Sequence, residues 1–282
     1  MAELELCSVN YIYNKGTPYE THALKDINLK LGGGITGIIG HTGSGKSTMV
    51  QMFNGLVKPT TGTVKLDGKN IWEKHVSVRE ARFRAGLVMQ YPEYQLFAST
   101  VYEDIAFGPR NMGLDEKEVE RRVLDAADFS KLPRELMSRS PFDLSGGQKR
   151  RVALAGVIAM NPEFLVLDEP AAGLDPGGRR SILGGIKEYG KESGTSVIIV
   201  SHSMEDMASY CDHIIVMAAG RIIMDGSCAE VFSRYNELIG VGLDVPQVTR
   251  IASALSHRGI DIGRDVYTVG YAAGKLSELL DK

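Results

Sequence analysis

Residues 35–56 read ITGIIGHTGSGKSTMVQMFNGL. A short apolar run rich in isoleucine comes first, then a glycine-rich loop, then a helical pattern from about Lys46. Strand, glycine loop, helix is the order a phosphate-binding loop requires, and 40–48 matches G-x-x-x-x-G-K-[ST]. Glycines let backbone N–H groups turn inward on phosphate oxygens, and the helix that follows brings its positive end to the anion. Gly40, His41, Thr42, Gly43, Ser44, Gly45, Lys46, Ser47 and Thr48 are therefore candidate nucleotide contacts. Lys46 is expected to reach the β and γ phosphates, and Ser47 to offer its hydroxyl to Mg²⁺.

Downstream of this loop, short apolar runs recur at 164–167, 197–200 and 214–217, separated by helix-like stretches such as 177–192. Such alternation indicates a parallel sheet covered on both faces. Upstream, Leu4, Leu6, Val9, Tyr11 and Tyr13 stand among polar residues as in a strand, and 23–31 reads as another, ended by Gly32, Gly33 and Gly34. From about Tyr91 to Met160 the β-branched runs disappear and the segments look helical. Within 113–129, Val119, Val123, Leu124 and Ala127 form one apolar face. The reading is an α/β core with a helical insertion in its middle.

The chain changes flavour from about Asn236. Pro246 stands near the start of a candidate helix, with Val248, Ile251, Ala252 and Leu255 at i, i+3, i+4 and i+7 and Gly259 placed to cap it. A second short helix is expected over 275–280.

Composition narrows the classes. The 282 residues carry 32 Lys+Arg and 35 Asp+Glu, a formal balance of −3 that gives no reason to expect a nucleic-acid partner. Three scattered cysteines have no metal-ligand spacing, so a reducing compartment is the default. The first residues have no signal-peptide pattern, and apolar runs such as 214–219 fall far short of the roughly 18–20 residues that span a bilayer. The chain is expected to be soluble by itself, which leaves docking on a membrane-embedded partner open.

Two further stretches carry chemistry. The run FLVLDEP (164–170) ends a buried strand in two acids, at the sheet edge where ligands of such sheets bind. Asp168 is expected to hold Mg²⁺ through a water, and Glu169 to act as the base that orients and deprotonates water. The run DLSGGQKRR (143–151) opens a helix with Ser145 at its N-cap and Gln148 in capping-box position. A cap alone needs no paired glycines, which weaken a helix. Bare N–H groups on Gly146 and Gly147 suit a γ-phosphate instead, and one nucleotide cannot contact both glycine motifs intimately if each sits at its own helix start. The economical answer is a head-to-tail pair of chains, with ATP between the loop of one and the serine-glycine helix of the other.

The loop at 40–48, LSGGQ at 144–148 and LVLDEP at 165–170 together resemble the ATP-binding cassette (ABC) ATPases, over roughly residues 3–235. The resemblance implies the P-loop NTPase fold of that family: the α/β core, an N-terminal antiparallel β-subdomain, a helical insertion subdomain at about 91–160, and a small C-terminal extension at 236–282. It implies that Gln90 senses Mg²⁺ and the attacking water, that Asp175 of AGLD (172–175) crosses the dimer, and that His202 touches the γ-phosphate. Tyr13 resembles the aromatic that stacks on adenine, with Tyr11 as the alternative; either residue also suits strand-face packing.

More narrowly, QYPEYQLF (90–97), TVYEDIAFGPRNMG (100–113) and the extra C-terminal segment resemble the energy-coupling factor transporter ATPases for vitamins and for metals such as cobalt and nickel, in particular the second of their two paired subunits. That implies ATP hydrolysis coupled to micronutrient uptake, on the cytoplasmic face of the membrane. The implied partners are a second ATPase subunit, in a heterodimer or alternatively a homodimer, a transmembrane coupling subunit and a substrate-binding membrane subunit. Part of the segment around Tyr94, Leu96 and Phe97 would line the groove for the coupling subunit, and the extension would contact the partner ATPase; packing within the chain is the other reading of both. The rival functions are another ABC transporter class and a soluble cassette ATPase of DNA repair, translation or cluster assembly. Neither a long coiled-coil insert nor a second cassette is present in the 282 residues.

Overall fold

The computed structural model describes residues 2–260, 262–263 and 266–280. Met1 and 281–282, the outer ends of the expected ATPase domain (1–235) and C-terminal extension (236–282), lie outside the described residues. β1 (Leu4–Tyr13) and β2 (Thr21–Leu31) lead into β3 (Ile35–Ile39) and α1 (Lys46–Phe53). β4 (Thr61–Leu66), β5 (Lys69–Asn70), α2 (Val78–Arg84) and β6 (Ala85–Val88) follow. The middle is helical: α3 (Val101–Asn111), α4 (Glu116–Phe129) and α5 (Gly146–Ile158). Strands and helices then alternate through β7 (Phe164–Asp168), α6 (Pro176–Ser193), β8 (Ser196–Val200), α7 (Met204–Tyr210), β9 (His213–Ala218) and β10 (Arg221–Ser227). The described chain closes with α8 (Cys228–Ser233), α9 (Tyr235–Gly240), α10 (Gln247–Ser256) and α11 (Val269–Leu280).

Two sheets form. β2-β1-β4-β5 is antiparallel, and the larger sheet has the order β10-β9-β3-β8-β7-β6. Within it β9, β3, β8, β7 and β6 are parallel, and β10 adds an antiparallel edge. Ile38 and Asp168 both stand level with Val200, and Val88 with Leu167. The carboxyl ends of β3, β6, β7 and β8 thus share one edge, where an open α/β sheet holds its ligands.

The parallel sheet separates two cores. Phe164 and Val166 face the antiparallel sheet and α1, beside Met49 and Phe53. Leu165 and Leu167 face the opposite way, into a larger cluster with α3, α4, α5, α6 and α7. Because both faces are covered, these strands read as unbroken apolar runs. Full burial of a side chain such as Phe164 contributes roughly 2–3 kcal/mol.

The structure adds strands that the sequence reading passed over: β4, β5, β6 and β10. β6 is only Ala-Gly-Leu-Val, too short and too glycine-diluted to announce itself; its parallel pairing with β7 makes it a strand. α11 begins at Val269, not at 275; Gly270 and Gly274 weaken its early turns as a sequence signal. Leu238, Leu243 and Val245 join the large core, whereas Val248, Ala252, Ile262, Val266 and Ala272 make a small cluster of their own. Of the expected apolar face of α10, Val248, Ala252 and Leu255 turn into that cluster and Ile251 stays 55% exposed. Among the described residues no helix is long and apolar enough to cross a membrane.

Candidate functional site

Residues 40–45 connect β3 to α1 and are shaped by close packing. A Cβ on Gly40 would stand 2.4 Å from the carbonyl oxygen of Met217, and one on Gly45 2.5 Å from that of Ala23. Gly45 is also left-handed, at φ 103°, where it serves as the N-cap of α1 without any side-chain cap. The helix thus opens with uncapped backbone N–H groups directed into the loop.

Lys46, the first residue of α1, is buried. Its ammonium donates to the carbonyls of Gly40 at 2.6 Å and His41 at 3.0 Å, which holds it across the mouth of the loop. Burial pushes its pKa down, partly offset by the nearby Glu169 and Asp168. Asp168 ends β7; burial raises its carboxyl, and a hydrogen bond from Ser47 works against that rise. Glu169, one residue on, is left-handed at φ 53°, so the chain leaves the strand and sends the second acid elsewhere. Burial, then the neighbouring Asp168, push Glu169 up to about 7. His202, after β8, has its pKa lowered by burial. Its Nε2 lies 3.2 Å from the buried Glu169 Oε1, and a hydrogen bond from the His202 backbone works against the rise of that acid. The acid is raised and the imidazole lowered, so both shifts work against a charged pair.

A cleft of about 480 Å³ brings most of the expected residues together. Thr42, Gly43, Gly45, Lys46, Ser47 and Thr48 line it from the loop and α1, Gln90 from the end of β6, Asp168 and Glu169 from β7, and His202 from β8. Tyr13 closes one end, its hydroxyl 3.0 Å from Thr48 Oγ1. Tyr11 packs edge-on behind it at 4.7 Å, against the core, and does not line the cleft. Thr21, His22 and Ala23 also line it and were not singled out from sequence. The antiparallel register supplies them: Tyr13 pairs with Thr21 and Ile12 with His22.

Other expected residues lie apart. Gly40 and Ser44 sit behind the lining; Ser44 is fully buried and its hydroxyl is unpartnered. His41 is exposed, with its ring against the Thr42 carbonyl. Asp175 spends one carboxylate oxygen on capping α6, accepting from Gly178 N at 2.6 Å, and is otherwise exposed. Ser145, Gly146 and Gly147 are exposed at the start of α5, in a complete capping box with Gln148, and do not line the cleft. A Cβ on Gly146 or Gly147 would meet nothing within 4 Å. Packing within this chain therefore does not call for glycine at either position.

The donor set suits a nucleotide triphosphate with a divalent cation. Loop N–H groups and a buried ammonium meet two crowded carboxylates, one of them hydrogen-bonded by the Ser47 hydroxyl, and an aromatic ring lines the same cleft.

The family model described as ABC transporter matches residues 24–172. The energy-coupling factor transporter ATP-binding protein EcfA2 of Caldanaerobacter subterraneus is 52% identical over 263 residues, covering 93% of this chain and 92% of its own. EcfA2 of Clostridium perfringens is 48% identical over 279 residues, 98% of each chain. Among solved structures, cbiO1 of Clostridium perfringens, part of the ABC transporter complex cbiONQ, is 40% identical with a TM-score of 0.74, covering 90% of this chain and 98% of that one. The dimeric cassette MJ0796 bound to ADP and Pi is 28% identical with a TM-score of 0.71, covering 79% of this chain and 98% of that one.

Proposed function

The chain belongs to the ABC transporter ATP-binding family, in the branch of energy-coupling factor transporter ATP-binding proteins, and on that premise we propose how its residues hydrolyse ATP to drive micronutrient uptake. The phosphates lie on the backbone of 42–47 and on Lys46, and adenine stacks on Tyr13. Ser47 and Asp168, with Gln90, would hold Mg²⁺, which neutralises phosphate charge when bound. Glu169 takes the proton of the attacking water while the bond from the γ-phosphorus to its bridging oxygen breaks. Its place in the cleft lining and its carboxyl pushed up to about 7 suit that role. Gln90 and His202 orient the water and the γ-phosphate.

The observation that carries the cross-subunit part is the placement of Ser145, Gly146, Gly147 and Gln148. Ser145, Gly146 and Gly147 are exposed and Gln148 half-buried, all away from their own cleft, with glycines that no neighbour in the chain requires. A second ATPase subunit, here a paired and similar chain, supplies the missing wall of the cleft, as Asp175 supplies part of the partner's. The helical subdomain at about 91–160 offers the membrane coupling subunit an aromatic surface. Phe97 and Phe107 stack edge-on at 4.9 Å, both half-exposed, and Tyr94 is 85% exposed. The segment 236–282, anchored to the core through Leu238, Leu243 and Val245, joins the two ATPases. The assembly sits on the cytoplasmic face of the membrane, with a separate membrane subunit choosing the substrate.

The test is ATP turnover of the lone chain against that of the chain with its paired ATPase and membrane subunits. Turnover per chain should fall as the lone chain is diluted and recover with the partner. Full-speed turnover by an isolated copy at nanomolar concentration would sink the reading.

A further inference from the structure

The catalytic roles above leave one buried ion pair unused. Arg150, in α5, has a side chain only 7% exposed and meets Glu93, which lies just beyond Gln90. Arg150 Nη2 donates to Glu93 Oε1 at 3.1 Å and Nε to Oε2 at 3.3 Å, a two-pronged pairing suited to a planar cation. The remaining nitrogen, Nη1, donates to the carbonyl of Ala172 at 2.6 Å. Ala172 in turn donates its N–H to the carbonyl of Glu169 at 3.1 Å. Between Gln90 and Glu93, Tyr91 is held left-handed at φ 55°, a conformation costly for a bulky side chain. Such strain persists only where the surroundings over-determine it, and the Glu93 anchor is one such restraint.

We propose that Arg150 is a positioning residue for hydrolysis: one guanidinium fixes the Gln90 loop and the Glu169 loop against each other and ties both to α5. This rests on the function proposed above and deepens it. Gln90 and Glu169 belong to the chain's own cleft, while the start of α5 serves the partner's. Arg150 stands at the junction, so closing the chain's own cleft moves the helix that completes the other. Lysine at 150 keeps the charge but loses the fork that spans both a carboxylate and a carbonyl.

The experiment uses the complete complex in lipid nanodiscs, carrying wild-type chain, Arg150→Lys or Glu93→Gln. Arg150→Lys should lower kcat by about tenfold or more while the KM for ATP moves less than about twofold. ATP affinity of the isolated subunit should stay near wild type, because Arg150 does not line the cleft. Glu93→Gln keeps an acceptor and should lose less, about three- to tenfold in kcat with the same split. An Arg150→Lys kcat within about twofold of wild type overturns the proposal. Parallel loss of kcat and nucleotide affinity, the pattern of a merely structural residue, overturns it too. Should Arg150→Lys fail to fold, the kcat and KM of Glu93→Gln decide by the same criteria. The underlying function is scored separately on the wild-type complex, by its turnover against that of the lone chain.

Discussion

Glu169 shows how local chemistry follows from a single residue's surroundings. Two buried acids in sequence, with the second bent out of the strand, leave one of them poorly able to ionise. Its folded pKa, about 7, is above the ordinary 4.5, so the proton is favoured by folding. The stability linked to it is fully present below about pH 4.5 and is lost as pH rises through 7. Glu169→Gln removes that loss. In the absence of nucleotide the variant should be more stable than wild type at pH 8, by on the order of 2–3 kcal/mol, and little different at pH 4.5. Urea unfolding at the two pH values checks this; a stability difference independent of pH would refute the burial argument. The same variant should bind ATP and hardly hydrolyse it, and rapid turnover would remove Glu169 from its role. Most residues of this cleft were legible in sequence because short motifs carry them. Thr21, His22 and Ala23 were not, because a strand pairing, not a motif, delivers them.

At the scale of elements, α5 is the instructive case. Ser145 and Gln148 complete a capping box, so the local reading of the helix start holds fully. The capping box leaves Gly146 and Gly147 unexplained, since their missing side chains face open space within the chain. Gly147→Asp should therefore fold normally. In the assembled complex it would set a charge about 5 Å from a phosphate, a repulsion of about 3 kcal/mol at an effective dielectric near 20, or over a hundredfold in closure. Steady-state ATPase of the complex measures it, and unchanged activity would end the cross-subunit reading. Elements also mark where sequence reading ran short. The alternation of Val64 and Leu66 was a usable strand signal in β4, whereas β6 had none of its own. In α11 the expected helix is present, and its early glycines hid only the turns before 275.

Over the whole molecule, the two cores and the small C-terminal cluster define what can be separated. Leu238, Leu243 and Val245 belong to the large core, while Val248, Ala252, Ile262, Val266 and Ala272 cluster separately, linked back by Tyr267 against Phe232 and by Gln247 N to Glu205 at 3.2 Å. Ending the chain after Val245 should leave the ATPase core folded, with a thermal midpoint lower by about 2–4 °C, while association with the paired ATPase weakens by about tenfold or more. Sedimentation of the mixed subunits decides; undiminished association would assign the pairing elsewhere.

The amino-acid order by itself determined the fold family and named most of the residues that line the candidate cleft. Phosphate loops, acid-ended strands and capped glycine helices are local devices, and their residues must be adjacent in the chain to work. Tertiary structure alone decided which of those devices share a cleft, for that depends on strand order and register. It placed the 40–48 loop, Gln90, Asp168, Glu169 and His202 on one sheet edge and left Ser145–Gln148 on another surface. It also joined Glu93, Arg150 and Ala172 through one buried guanidinium, a contact between segments that no local pattern encodes.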